Sequence, residues 1–361
     1  MATRNLWVRV SLLLALLAMF QSSVFGESQV PCFFILGDSL VDNGNNNNLE
    51  TTAKANFPPY GIDFPEGPTG RFSNGRNIAD IIAQFLGFDE YIPPFATARD
   101  QDILMGVNYG SGGAGIRDES GTELGAVISL NQQLLNHQII VSRIGVLLGS
   151  KEEAANYLSK CIYYVGMGSN DYINNYLLPQ YFNTSHLYTP EQYAIVLIQQ
   201  YSQQLKTLYK YGARKVALFG LGEIGCTPAE MASYGTNGSE VIDKDVQLFN
   251  EGLSLLVDEL NNNLTDSEFI FINITEISSG DASAYGITIA NASCCVVSSN
   301  IGKGLCAPNL APCSNRTLYA YWDGFHPTEV ANLFLATGAY NALTPLISAL
   351  EHDSDEGSYI I

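Results

Sequence analysis

The chain has 361 residues, 46% of them hydrophobic, and a formal net charge of −19 at pH 7. That length and apolar content suffice for a sizeable core, and so acidic a balance argues against nucleic acid and anionic membrane as partners. It does not identify a substrate.

The first 26 residues carry Arg4 and Arg9, an apolar run over 10–20, and small residues ending in Val24 and Gly26. This is the layout of a secretory signal peptide, with a run too short to span a bilayer comfortably; a signal anchor is the alternative. No other stretch reaches about 18 consecutive apolar residues, so no transmembrane segment is expected in the mature chain. The expectation is a soluble, secreted, extracellular protein with residues 1–26 as signal and 27–361 as one domain.

A first buried strand is expected over 32–36, running into Gly37, Asp38 and Ser39 and then an asparagine-rich stretch over 43–48. In open α/β sheets ligands bind outside the carboxyl ends of strands. Ser39 is therefore a candidate nucleophile if a base reaches it; an ordinary surface turn is the competing reading. Asp38 is adjacent to Ser39, points elsewhere, and is expected to anchor its own turn. Further strands are expected over 107–109, 162–166, 215–219 and 269–273, and helices over 78–86, 129–148, 190–211, 241–264 and 328–350. Such alternation implies a parallel sheet with helices on both faces. Gly110, Gly112 and Gly115 fit a dinucleotide fingerprint, but after the second strand and without a clean helix following, which makes the match weak. No Gly-X-Ser-X-Gly elbow occurs, which argues against an ordinary α/β-hydrolase.

Towards the end of the chain, Cys294, Cys295, Cys306 and Cys313 cluster in loop-like sequence. Disulfides are expected in an oxidising compartment, and three pairings stay open. Zinc is the competitor, disfavoured by irregular spacing and the lack of a nearby histidine. Cys32 and Cys161 read as simply buried at strand starts, and the odd count of seven leaves at least one thiol unpaired. Six Asn-X-Ser/Thr sequons, at Asn183, Asn237, Asn263, Asn273, Asn291 and Asn315, are glycan candidates, with Asn273 the one most at risk of burial. The segment Tyr321-Trp322-Asp323-Gly324-Phe325-His326-Pro327 places an acid three residues before one of only four histidines. An imidazole titrates near ~6.5 when unperturbed and can take a serine proton near neutral pH. Asp323 would fix its tautomer and stabilise the imidazolium. Pro327 suits the first turn of the last helix. The end, 351–361, is acidic and expected to fray.

With these residues in place, the chain resembles the plant GDSL-type esterases/lipases of the SGNH hydrolase superfamily over about residues 32–346. Four blocks carry the resemblance: Phe34 to Gly44 with Ser39, Gly106 to Ile116, Gly168-Ser169-Asn170-Asp171, and Asp323-Gly324-Phe325-His326. Plant-type marks lie between them at 69–76, 220–228 and 313–316. Gly110 is a departure, since relatives often carry alanine there. The resemblance implies a three-layer α/β/α fold with a five-stranded parallel sheet. It also implies Ser39, Asp323 and His326 as catalytic residues, and Ser39, Gly113 and Asn170 as the oxyanion hole.

The function expected is therefore secreted serine ester hydrolysis of lipid, acyl or acetyl esters through an acyl-enzyme, with no metal or cofactor. An acyltransferase using the same site and a non-catalytic secreted binding glycoprotein are the alternatives. Arg71 and Arg76 are read as structural. Tyr60, Tyr109, Tyr172 and Tyr176 are read either as lining an acyl or aryl pocket or as packing.

Overall fold

The computed structural model describes residues 28–298 and 304–348. The segment read as a signal peptide and the acidic tail lie outside the described residues. Four strands form a wholly parallel sheet in the order β1 (Phe33–Gly37), β2 (Ile162–Gly166), β3 (Lys215–Phe219) and β4 (Glu268–Ile272). Their registers are in step: Gly37 pairs with Gly166, Gly166 with Phe219, and Phe219 with Ile272. All four carboxyl ends therefore open on one edge.

A fifth regular strand was expected over 107–109. The segment occupies that position beside β1 but is not a regular strand. Ile35 N–H donates to Val107 O at 3.1 Å, Tyr109 N–H to Ile35 O at 2.7 Å, and Ser111 N–H to Gly37 O at 3.1 Å, a parallel ladder. The irregularity has a local cause. Gly106 adopts φ +117, where a Cβ would meet Phe33 O at 2.0 Å, and the Asn108 side chain turns back onto Val41 O and Gly110 N.

The longer helices are α1 (Ile78–Phe85), α2 (Leu130–Leu148), α3 (Lys151–Leu158), α4 (Pro190–Lys210), α5 (Pro228–Asn263) and α6 (Glu329–Ala342). Alternate strand residues divide between two cores. Phe34, Leu36, Tyr163, Val165, Val216 and Leu218 pack against α2, α3, α4 and α5. Phe33, Ile35, Ile162, Tyr164, Ala217 and Phe219 pack against α1 and α6. This is the expected three-layer α/β/α arrangement. Each large apolar side chain so buried stabilises the fold by about 1.5–3 kcal/mol.

Helix starts follow their capping residues. Asn77 and Asp80 form a reciprocal capping box on α1, and Thr189 and Gln192 do so on α4. Ser129 and Thr328 cap α2 and α6. The helix expected over 241–264 begins earlier, at Pro228, and breaks at Gly235, where φ is +67. A two-stranded parallel pair, β5 (Ile289–Ser293) and β6 (Tyr319–Tyr321), lies outside the main sheet and carries the cysteine-rich segment. No described helix is long and apolar enough to cross a membrane.

Candidate active site

Ser39 stands two residues beyond β1. The turn that presents it is clamped from below by Gln133 of α2, which accepts from Gly37 N–H at 3.0 Å and donates to Gly37 O at 2.8 Å. Asp38 Oδ1 accepts the Leu40 N–H at 3.0 Å, closing the turn on itself. Burial pushes the Asp38 carboxyl up to about 6, while that amide and the nearby His326 pull the other way.

The first part of the asparagine-rich stretch, Asn43 to Asn46, is buried. Asp42 accepts from the N–H groups of Gly44, Asn45 and Gly112 at 2.7, 2.8 and 3.0 Å. Asn45 donates to Asn108 O and Gly110 O. Asn46 donates to Ala53 O and Gly112 O and accepts from Ser111 Oγ at 2.6 Å. These side chains tie the serine turn to the glycine-rich loop, whose backbone groups would otherwise be buried without partners. The Gly110 and Gly112 amides are thus taken by Asn108 and Asp42.

That loop carries Gly113 at φ +82, a conformation that favours glycine, and Gly113 lines the cavity beside Ser39. Asn170 reaches the same cavity from the turn after β2. Its Nδ2 donates to Ala114 O at 2.9 Å, and its Oδ1 accepts from Asn174 Nδ2 at 2.7 Å. Asn174 so fixes which way the amide faces, and the second N–H of Asn170 is left for a ligand. Asp171 joins the two loops, accepting from Ile116 N–H, Arg117 N–H and Ser120 Oγ at 2.8, 3.0 and 2.7 Å. Burial pushes its carboxyl up to about 6 against those three donors.

From the opposite side, the turn before α6 brings His326 Nε2 to 2.7 Å from Ser39 Oγ. His326 Nδ1 lies 2.8 and 2.9 Å from the two oxygens of Asp323, which is fully buried. Asp323 Oδ1 also accepts the Phe325 and His326 N–H groups, both at 2.8 Å, and Oδ2 accepts the Tyr60 hydroxyl at 2.6 Å. The Phe72 ring lies against the imidazole, centroids 4.9 Å apart. Ser73 and Asn74 hold Pro327 O and Glu329 N–H, so the 69–76 block braces the histidine loop. Arg71 pairs with buried Asp80 at 2.7 Å and Arg76 pairs with Glu329; neither lines the cavity.

Disulfides join Cys294 to Cys313 and Cys295 to Cys306. Cys294 and Cys295 donate N–H groups to Tyr321 O and Trp322 O at 3.1 and 2.8 Å, so this cross-linked segment backs directly onto Asp323. A third disulfide joins Cys32 to Cys161, a correction to the expectation that both were merely buried. They sit one step before the paired residues Phe33 and Ile162, and the sheet order makes them neighbours. Cys226 is the free cysteine; burial and Asp243 push its thiol up to about 11.

Ser39, Gly113, Asn170 and His326 open into a cavity of about 580 Å³ with mainly apolar walls, among them Leu40, Ile173, Met231, Ile287 and Phe334. Of the four tyrosines singled out in the sequence, none lines it. Tyr109 meets His137 Nδ1 at 3.0 Å, Tyr172 and Tyr176 donate to backbone carbonyls, and Tyr60 holds Asp323. Among the described residues no cluster of three or more His, Cys, Asp or Glu is arranged to hold a metal ion. Asn183, Asn237, Asn263, Asn291 and Asn315 are exposed; Asn273 is half-buried and caps a helical turn through the Glu276 N–H.

Sequence reasoning missed Gln133, Asp42, Asn46, Asp171 and Asn174 as parts of the site. Asp42 and Asp171 lie within two of the four blocks that carry the resemblance, and Asn174 lies four residues beyond Asn170 and so one turn away.

Comparison with known proteins gives a consistent result. The profile of the family described as GDSL-like Lipase/Acylhydrolase matches residues 33–338. One Arabidopsis thaliana protein named as a GDSL esterase/lipase is 48% identical over 339 residues, covering 92% of this chain and 94% of its own. A second Arabidopsis thaliana GDSL esterase/lipase is 50% identical over 321 residues, covering 88% of each chain. A third, from the same plant, is 50% identical over 316 residues, covering 86% and 87%.

Proposed function

The chain belongs to the GDSL-like lipase/acylhydrolase family and is a carboxylic-ester hydrolase, and from that premise we propose that it acts through an acyl-enzyme on Ser39. The observation that carries this reading is the 2.7 Å contact of Ser39 Oγ with His326 Nε2, continued from Nδ1 to the buried Asp323. His326 takes the serine proton as Oγ attacks the acyl carbon. The Ser39 and Gly113 backbone N–H groups and the free N–H of Asn170 receive the oxyanion. Each such donor, when preorganised, stabilises the transition state by roughly 3–4 kcal/mol. His326 then protonates the leaving alcohol, and a water activated by the same imidazole releases the acid.

The apolar walls of the cavity support an acyl chain as the larger part of the substrate. The signal-like leader and the disulfides support secretion of residues 27–361 as one hydrolase domain, with glycans on the exposed sequons. The test is hydrolysis of a p-nitrophenyl ester series by purified protein beside Ser39→Ala, with and without an added alcohol. Ester cleavage that vanishes in Ser39→Ala supports the reading. Product appearing mainly as a new ester, with alcohol as acceptor, turns it towards acyl transfer. Equal turnover in both proteins overturns it.

A further inference from the structure

Tyr60 comes from a loop more than two hundred residues away from Asp323 in sequence, yet its hydroxyl lies 2.6 Å from Asp323 Oδ2. The Tyr60 hydroxyl oxygen in turn accepts the Cys306 backbone N–H at 3.0 Å. A backbone amide only donates, so it occupies a lone pair of the phenol, and the single phenol proton is directed at the carboxylate. The ring is buried between Phe57 and Phe72, with centroids 5.4 and 6.0 Å away, so bulk solvent does not compete for that proton. Burial and the Asp323 charge push the phenol well above its usual range, which keeps it a donor. Cys306 is bonded to Cys295, and Cys295 N–H holds Trp322 O, the residue before Asp323. The result is a closed circuit: disulfide, amide, phenol, carboxylate, imidazole.

We propose that Tyr60 is a positioning residue for ester hydrolysis, aimed by the disulfide-held amide of Cys306, and that it holds the Asp323 carboxylate against His326. The inference rests on the assignment of Ser39, His326 and Asp323 made above. Without Tyr60 the two backbone donors still hold Oδ1, but only the imidazole remains on Oδ2. The carboxylate then rotates more freely. It also becomes a stronger base, which favours the imidazolium and withholds the free base that serine needs. The other charged group facing His326 is Asp38, beside Ser39; Phe72 and Phe325 are neutral neighbours.

The experiment compares wild type, Tyr60→Phe and a protein with 3-fluorotyrosine at position 60, a stronger donor of the same shape. Tyr60→Phe lowers kcat by about tenfold to a hundredfold with KM little changed, as loss of a hydrogen bond to a charged group implies. It moves the ascending limb of the kcat/KM profile to higher pH by about half a unit or more, and 3-fluorotyrosine moves it to lower pH. A role confined to packing leaves the limb in place in both proteins, and that result overturns the proposal. The fluorinated protein keeps the test available even where Tyr60→Phe fails to fold. Ser39→Ala in the same assay separates the two claims: surviving turnover there overturns the Ser39 assignment, whereas an unmoved limb with an inactive Ser39→Ala overturns only the role of Tyr60.

Discussion

The two sides of the active site are held by different physical means. The proposed nucleophile and oxyanion side, Ser39 with the loops of Gly113 and Asn170, is bound together by buried side chains that serve backbone groups: Gln133, Asp42, Asn46 and Asp171. The proposed base side, Asp323 and His326, is backed by the Cys294–Cys313 and Cys295–Cys306 disulfides and braced by the 69–76 block. A buried hydrogen bond contributes modestly when made and costs much when one partner is removed. A disulfide acts through the unfolded chain and responds to redox conditions. The loops of the first side thus depend for their stability on single side chains, with the Cys32–Cys161 bridge lying at the far end of β1 and β2, whereas the loops of the second are themselves cross-linked and respond to reductant.

The largest effect expected is on the base side. Asp323→Asn keeps the fold but lowers kcat by about ten-thousandfold, because the amide stabilises the wrong imidazole tautomer. Steady-state kinetics with circular dichroism checks this, and a loss of less than tenfold would put the orienting group elsewhere. On the nucleophile side, Asn170→Ala lowers kcat by about a hundredfold to a thousandfold with KM little changed. Asn174→Ala, which removes the hydrogen bond to the Asn170 carbonyl, costs about tenfold. Equal losses from the two would mean that orientation of the amide, and not its free N–H, carries the effect.

Stability separates the sides next. Asn46→Ala orphans Ala53 O and Gly112 O, takes the acceptor from the Ser111 hydroxyl, and costs about 2–4 kcal/mol in urea unfolding, with or without reductant. Removal of the Cys295–Cys306 bridge costs about 2–4 kcal/mol, and reductant adds nothing further at that site. The smallest effect is a pH dependence of the nucleophile side. Asp42 and Asp171 have carboxyls raised by burial to about 6, above their unfolded value near 3.8. The folded state holds these protons more tightly, so the stability they contribute is full below the unfolded value and is lost as pH rises through about 6. Acidification also relieves the self-repulsion of a chain with net charge −19. The melting temperature should therefore rise on going from pH 7.5 to 5.5, and a steady fall over that range would contradict these assignments.

Much of this was legible in the sequence where a residue ends a strand or begins a helix. All four main strands fall within one residue of their expected bounds. Ser39 and His326 lie where a strand end and a helix entry put them. The 43–48 run was less legible. Its composition does not name partners, yet Asn45 and Asn46 satisfy backbone groups of a loop some sixty residues onward, and Asn43 and Asn47 bond Ile92 O and Thr69 O. Cys32 and Cys161 became a pair only once the β1–β2 register was known. The fifth strand failed to become regular because Gly106 and Asn108 turn its backbone to other uses. Tyr60 was singled out only as pocket lining or packing, and its bond to Asp323 carried no signal, since that partner is reached only through the tertiary fold.

The central claim is that Ser39 becomes acylated. Intact-protein and peptide mass spectrometry after exposure to a phosphonate ester, a stable mimic of the tetrahedral intermediate, tests it most directly. One covalent adduct is expected, on the peptide containing Ser39, forming in step with loss of esterase activity and absent from Ser39→Ala. An adduct at another residue that tracks the loss of activity, or full inactivation with Ser39 unmodified, would contradict it.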